Sequence, residues 1–227
     1  MSFSYETKNE LCRLPVQKLC CARAEAYGIL LYCNTFSATE VRVITENPNF
    51  AERLPKLFRR AFGLSFDRQP DKEQIEGKRI FQITDPRKLN HIINVLGYDP
   101  QQNLVLHINF AFMEEACDQA AFLRGAFFAG GSITDPQKRY HLELTTSHLQ
   151  VSREIESLLV ECGYPPKSLS RNGSSITYFK QSDQIEDFLT MIGAPVAAMN
   201  IMSAKLEKDL RNSVNRRLNC DSANLDK

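Results

Sequence analysis

The side chains with the widest chemical repertoire in this 227-residue chain are seven cysteines and four histidines. Cys12, Cys20, Cys21, Cys33, Cys117, Cys162 and Cys220 are odd in number and include no CxxC pair. That spacing argues against a disulfide framework and against a zinc site. Unpaired thiols suit a reducing compartment, so a cytoplasmic protein is expected. Cys20-Cys21 falls on an apolar helical stretch, where thiols commonly serve as packing residues. His91, His107, His141 and His148 lie on four different segments, and none stands at metal-ligand spacing with another. No glycine sits in a phosphate-loop pattern. Neither a metal nor a cofactor is therefore expected.

The element around which the rest is organised runs Phe122-Leu123-Arg124-Gly125-Ala126-Phe127-Phe128-Ala129-Gly130-Gly131-Ser132. Ala121, Gly125 and Ala129 fall four apart, so they share one helix face and let another backbone approach closely. A glycine in mid-helix costs about 1 kcal/mol relative to alanine, and close packing is a reason to keep one. Residues 23–34 echo the pattern with Ala24 and Gly28, ending at Asn34, which tolerates a left-handed cap. The two small-faced helices are expected to pack on each other.

With 43% hydrophobic residues the chain can fill one large core or two small ones, and no apolar run reaches the ~18 residues of a membrane span. The first residues show no basic head followed by an apolar core, so no secretory signal is read. A net charge of +1 gives no global attraction to nucleic acid, so any such contact rests on local patches.

In order, the pattern predicts a leading helix over 4–14 capped by Ser4 or Thr7, and a helix over 18–33. A strand over 39–45 and a helix from Pro48 to Gly63 follow, then a strand at Leu64-Ser65-Phe66 and a polar turn around Asp71, Glu73 and Gly77. A strand over 79–83 and a helix from Pro86 to Gly97 complete the first half. The second half repeats this with a helix over 118–130, a strand over 140–146, a helix from Ser147 to Cys162, a strand over 175–179 and a helix from Asp183 to Gly193. Gly28 corresponds to Gly125, Gly63 to Gly163 and Gly97 to Gly193, at offsets of 97, 100 and 96 residues, and Thr45 to Thr145 at 100. Such steady offsets indicate a duplication. The result is two α+β units, each a small antiparallel sheet with helices on one face and the other face open.

The segments ending at Asn34 and Gly131 resemble degenerate copies of the LAGLIDADG motif of homing endonucleases. Ser2-Phe3-Ser4, Glu6-Thr7-Lys8-Asn9-Glu10-Leu11, Arg124-Gly125-Ala126-Phe127, Tyr140-His141-Leu142-Glu143 and Asn215-Arg216 through Asn224-Leu225 resemble, more specifically, the WhiA family of bacterial transcription regulators. The resemblance runs end to end and implies two pseudo-symmetric αββαββα units over residues 1–115 and 116–200, with a helical seam. Residues 201–227 would be a basic helix and linker, ending before Asn219-Cys220-Asp221-Ser222, towards a helix-turn-helix domain missing from this chain. It further implies promoter DNA as partner, contact with transcription-machinery proteins, roles in sporulation, cell division or chromosome segregation, and a cytoplasmic, nucleoid-associated location.

In the nucleases the last acid of each motif holds a divalent metal. The matching positions here are Cys33 and Gly130, neither a hard oxygen donor. A non-catalytic scaffold is the expectation; the alternative is a divergent endonuclease with displaced metal ligands such as Asp135 and Glu40. Arg139, His141, Glu143 and Thr145 alternate with apolar neighbours, as do Thr177 and Phe179, and are expected on the open sheet face. Arg139, His141 and Lys180 on the sheet, and Lys205, Lys208, Arg211, Arg216 and Arg217 on the tail, are the candidate DNA contacts.

Overall fold

The computed structural model describes residues 2–16, 18–71, 77–99 and 104–225. Helix α1 (Phe3–Cys12) is capped by Ser2, whose Oγ accepts from Tyr5 N at 3.2 Å. The expected cap Thr7 is instead a buried helical residue whose hydroxyl donates to the Phe3 carbonyl. Helix α2 (Leu19–Tyr32) leads through extended Cys33 into β1 (Thr35–Phe36). Asn34 does not take a left-handed cap, because its side chain is used to accept from Ile44 N at 2.8 Å, which stitches the helix end to β2 (Val41–Thr45).

Helix α3 (Pro48–Phe62), β3 (Arg79–Ile83) and α4 (Pro86–Val95) complete the first unit. Pro48 and Pro86 open the two helices as expected, and the structure adds Asn47 and Asp85 as the caps before them. The strand expected at Leu64-Ser65-Phe66 does not form. Phe66 turns into the core against Phe58 and Phe81, at centroid distances of 4.5 and 5.2 Å, leaving Arg68 to make an isolated bridge with Gln82. The turn expected around Glu73 lies outside the described residues.

The second unit contains α5 (Ala116–Gly130), β4 (Gly131–Ile133), β5 (Leu142–Thr146) and α6 (Leu149–Glu161), then β6 (Lys167–Arg171), β7 (Ser174–Phe179) and α7 (Ser182–Ile192). The sheets run β1-β2-β3 and β4-β5-β7-β6, antiparallel throughout. Gly63, Gly97, Gly163 and Gly193 all take positive φ as predicted for helix caps. Thr177 and Phe179 are buried, so their predicted outward orientation is reversed. Their register partners Leu144 and Leu142 face the helices, and cross-strand partners share a face, so Ile176 and Tyr178 take the open side.

Helix α8 runs from Pro195 to Leu225, through the stretch expected to end it. Asn219-Cys220-Asp221-Ser222 holds neither glycine nor proline, and polar residues of middling propensity do not stop a helix by themselves. Ala197, Ala198, Ile201 and Ala204 dock it on the body, while residues 209–220 are exposed.

The seam between the units is the α2–α5 pair. A Cβ on Gly28 would stand 2.1 Å from the Phe122 carbonyl oxygen, and one on Gly125 2.0 Å from that of Glu25. The helices therefore meet backbone to backbone, with Ala24 and Ala121 buried beside them and Ala129 at the edge. Phe50 stacks on Phe128 at 4.7 Å, tying α3 of the first unit to the seam.

Candidate functional site

The seam ends beneath the two sheets at Cys33 and Gly130. The Cys33 thiol donates to the Leu30 and Thr35 carbonyls at 3.3 and 3.2 Å, and burial pushes its pKa up to about 12. It is a neutral thiol, a poor partner for a hard cation. Gly130 is the last residue of α5, and a Cβ there would lie 2.4 Å from the Thr145 carbonyl oxygen and 2.7 Å from the Tyr32 ring. No side chain of any kind fits at that position. The two displaced acids are engaged elsewhere. Asp135 Oδ1 accepts from Gln137 N at 2.9 Å in the turn after β4, and Glu40 pairs with Arg42 at 3.3 Å and accepts from Gln82 at 2.7 Å.

The open face of the second sheet follows from its register. Lys167 pairs with Tyr178, Leu169 with Ile176 and Arg171 with Ser174, so these share the face that carries Glu143 and Thr145. His141 lies just before β5 in a loop, with Nε2 2.8 Å from Glu143 Oε2 and its ring 5.6 Å from Tyr178. Lys180 stands 5.1 Å over the Tyr178 ring. Arg139 is exposed in the loop behind the 136–138 turn, before β5 rather than on the sheet face expected for it. Strand β6, with Lys167 and Arg171, was not read from the sequence, because Lys-Ser-Leu-Ser-Arg lacks β-branched and aromatic residues. The first sheet's face differs, its Arg42 being tied to Glu40 and Thr35.

On α8, Lys205 pairs with Asp183, and Lys208 donates to the Pro136 carbonyl at 2.6 Å with its ammonium 4.3 Å over the Tyr140 ring. These two cations fasten the helix to the second unit. Arg211, Arg216 and Arg217 are exposed farther along.

Sequence reasoning missed a buried ionic junction. Glu25 on α2 takes Arg53 of α3 through two bonds of 2.6 and 2.8 Å and Arg124 of α5 at 2.8 Å. Glu25 is 2% exposed. Its only sequence signal is a lone carboxylate in the middle of a helix that is apolar apart from Arg23. The histidines are dispersed as expected, with His91 and His107 each 3.1 Å from a backbone carbonyl. Cys21, half-buried, packs against the core as expected, whereas Cys20 at the N-terminal end of α2 is exposed and does not. No helix among the described residues is long and apolar enough to cross a membrane.

The family described as WhiA LAGLIDADG-like domain matches residues 119–211. A probable cell division protein WhiA of Ruminiclostridium cellulolyticum is 36% identical over 234 residues, spanning 100% of this chain and 75% of that protein. The Staphylococcus aureus protein of the same name is 31% identical, spanning 100% and 74%. Among solved structures, full-length DUF199/WhiA from Thermatoga maritima has a TM-score of 0.73 at 20% identity, over 99% of this chain and 73% of that one. The homing endonuclease I-DmoI, solved with DNA and Mn, has a TM-score of 0.54 at 12% identity, over 77% and 98%. At those identities the two structures speak for the fold alone. The sequence relatives carry more: the chain is a member of the WhiA family of cell division proteins and holds its LAGLIDADG-like domain.

Proposed function

We propose that this chain is a non-catalytic, DNA-facing scaffold of a transcription regulator that acts in cell division and, in bacteria that form spores, in sporulation. In this reading residues 1–115 and 116–200 form the two halves of a saddle, and 201–227 carry the basic extension towards a DNA-reading domain. Arg139, His141, Lys180, Arg211, Arg216 and Arg217 contact the phosphate backbone, while Lys205 and Lys208 hold the extension in place. The protein works in the cytoplasm at the nucleoid, alongside transcription-machinery proteins.

The observation that carries the non-catalytic reading is the steric closure at Gly130 together with the neutral thiol at Cys33. Two-metal phosphodiester cleavage needs carboxylates to hold the cations that clamp the attacking and leaving oxygens, and neither position offers one. Support for a DNA-facing saddle is the open sheet face with Lys167, Arg171 and Lys180, and the likeness of fold to a nuclease solved on DNA.

Two measurements test the reading. Supercoiled plasmid incubated with the protein and magnesium or manganese is expected to stay intact; cleavage that disappears in Asp135→Ala or Glu40→Ala would establish displaced ligands instead. Fluorescence anisotropy with a labelled random duplex is expected to show binding at low salt that weakens steeply as salt rises. No binding at the lowest salt would remove DNA from the account of this domain.

A further inference from the structure

At the end of the seam opposite Cys33 and Gly130, the first turns of α2 and α5 bring four ligand-type side chains together. The ligand atoms of Cys20, Cys21, Cys117 and Asp118 all lie within 4.8 Å of one another. Cys20 and Cys117 are separated by the same 97 residues as Gly28 and Gly125, and so are Cys21 and Asp118. Each unit therefore contributes two adjacent residues from equivalent helical positions, and the cluster straddles the pseudo-twofold relation between the units. No CxxC spacing marks these ligands because the pairs come from two helices that only the fold brings together.

From this geometry we infer that Cys20, Cys21, Cys117 and Asp118 form a binding site for one soft divalent cation, zinc by preference, that bridges the two units.

The dimensions suit a tetrahedral centre. With Zn–S bonds of about 2.3 Å, two sulfurs on one ion stand about 3.8 Å apart, and a sulfur and a carboxylate oxygen about 3.5 Å. The Cys20–Cys21 sulfurs are 3.9 Å apart, and Cys117 Sγ is 3.6 Å from Asp118 Oδ1. The donor set of three thiols and one carboxylate favours zinc over magnesium or calcium, which want oxygen alone. Asp118 supplies a second, independent argument. It is 6% exposed, its carboxylate faces thiols, and among the described residues no lysine, arginine or histidine forms an ion pair with it. A carboxylate so deeply buried is ordinarily paired or bound to a metal. The bond to the Asp118 carboxylate holds the Cys20 pKa up and burial does the same for Cys21, so both stay neutral thiols until a soft cation displaces their protons, and the two helix N-termini then favour the thiolates formed. Binding is a simple exchange: the ion takes three thiolates and one carboxylate, and three thiol protons leave to solvent. A cleft of about 310 Å³, lined by Lys18, Cys21 and Cys117 among others, gives the ion a path in.

The site's role is to clamp the N-terminal ends of the seam helices, at the end opposite Cys33 and Gly130. The test uses the full chain, purified under reductant, with zinc and cobalt(II) as probes. Metal analysis after zinc loading and desalting is expected to find one zinc per chain. Cobalt(II) is expected to give the intense visible bands of a tetrahedral ion together with thiolate charge-transfer absorption. Cys20→Ser and Cys117→Ser should each lose both signals, and Cys220→Ser, far along α8, should keep them. The thermal midpoint should rise on adding zinc to the parent chain and not to Cys117→Ser. The inference falls if less than a tenth of an equivalent is retained, if zinc content is indifferent to Cys20 and Cys117, or if cobalt reports an octahedral site without thiolates. Because Cys20 lies at the surface, a Cys20→Ser variant with unchanged circular dichroism separates metal loss from misfolding.

Discussion

Glu25 shows how much of this molecule hangs on one carboxylate. It pairs with two guanidinium groups, and each of these reaches further: Arg53 Nη1 donates to the Leu14 carbonyl at 2.5 Å, and Arg124 Nη1 to the Ile192 carbonyl at 2.9 Å. The end of the α1 connection, α3, the seam and the end of α7 are thereby fixed to one point. A buried pair is weak evidence of net stability, because desolvation offsets the attraction, but removing one partner strands the other charges. Glu25→Gln keeps the shape and leaves Arg53 and Arg124 facing each other without a counter-charge. We expect it to lower unfolding free energy by about 3–5 kcal/mol in urea denaturation. A loss below about 1 kcal/mol would mean water or a shifted side chain takes over the role. Little of this could be read in advance. Arg53 lies 28 residues from Glu25 and Arg124 lies 99 away, so no local pattern links them.

At the scale of elements, the glycines were legible and the strand faces were not. A left-handed cap and a backbone-to-backbone crossing each exclude a Cβ, so Gly63, Gly97, Gly163, Gly193, Gly28 and Gly125 announce themselves by residue type and spacing alone. Strand β7, Ser-Ser-Ile-Thr-Tyr-Phe, has apolar groups on both parities, so the pairing with β5 decides which side is buried. The packing at the seam gives a sharp prediction. Gly125→Ala gains up to about 1 kcal/mol in helix propensity. Against that, a Cβ 2.0 Å from the Glu25 carbonyl oxygen forces the helices apart, and overpacking of this kind costs about 1–3 kcal/mol or more. The net effect is expected to be destabilising in thermal or urea unfolding. Gly28→Ala strains the same crossing from the other side, so the double variant should cost less than the sum of the two single changes. Strict additivity would show that the two glycines relieve separate contacts.

For the whole molecule, the two units follow a similar chain order and present unlike surfaces. In the first half one cation on the open sheet face, Arg42, is held by Glu40, and Arg68 shares that face through its bridge to Gln82. In the second, Lys167, Arg171 and Lys180 have no carboxylate at ion-pair distance among the described residues, and His141 is matched to Glu143. Helix α8 adds to the imbalance, since Lys205 and Lys208 fasten it to the second half and Arg211, Arg216 and Arg217 extend beyond. Phosphate attraction falls off over about 10 Å at moderate salt, so a local grouping of free cations matters more than the net charge of +1. A duplex on this saddle should therefore be gripped mainly by the second half. Each cation that meets a phosphate contributes about 0.9 to the slope of log affinity against log salt. Replacing Lys167, Arg171 and Lys180 together by alanine should flatten that slope by about 2–3 units, while Arg42→Ala should leave it nearly unchanged. The comparison is made by anisotropy on one random duplex across a salt series. Equal losses from the two sets of substitutions would mean that the first half still binds as its counterpart does, with the Glu40 pairing giving way to phosphate.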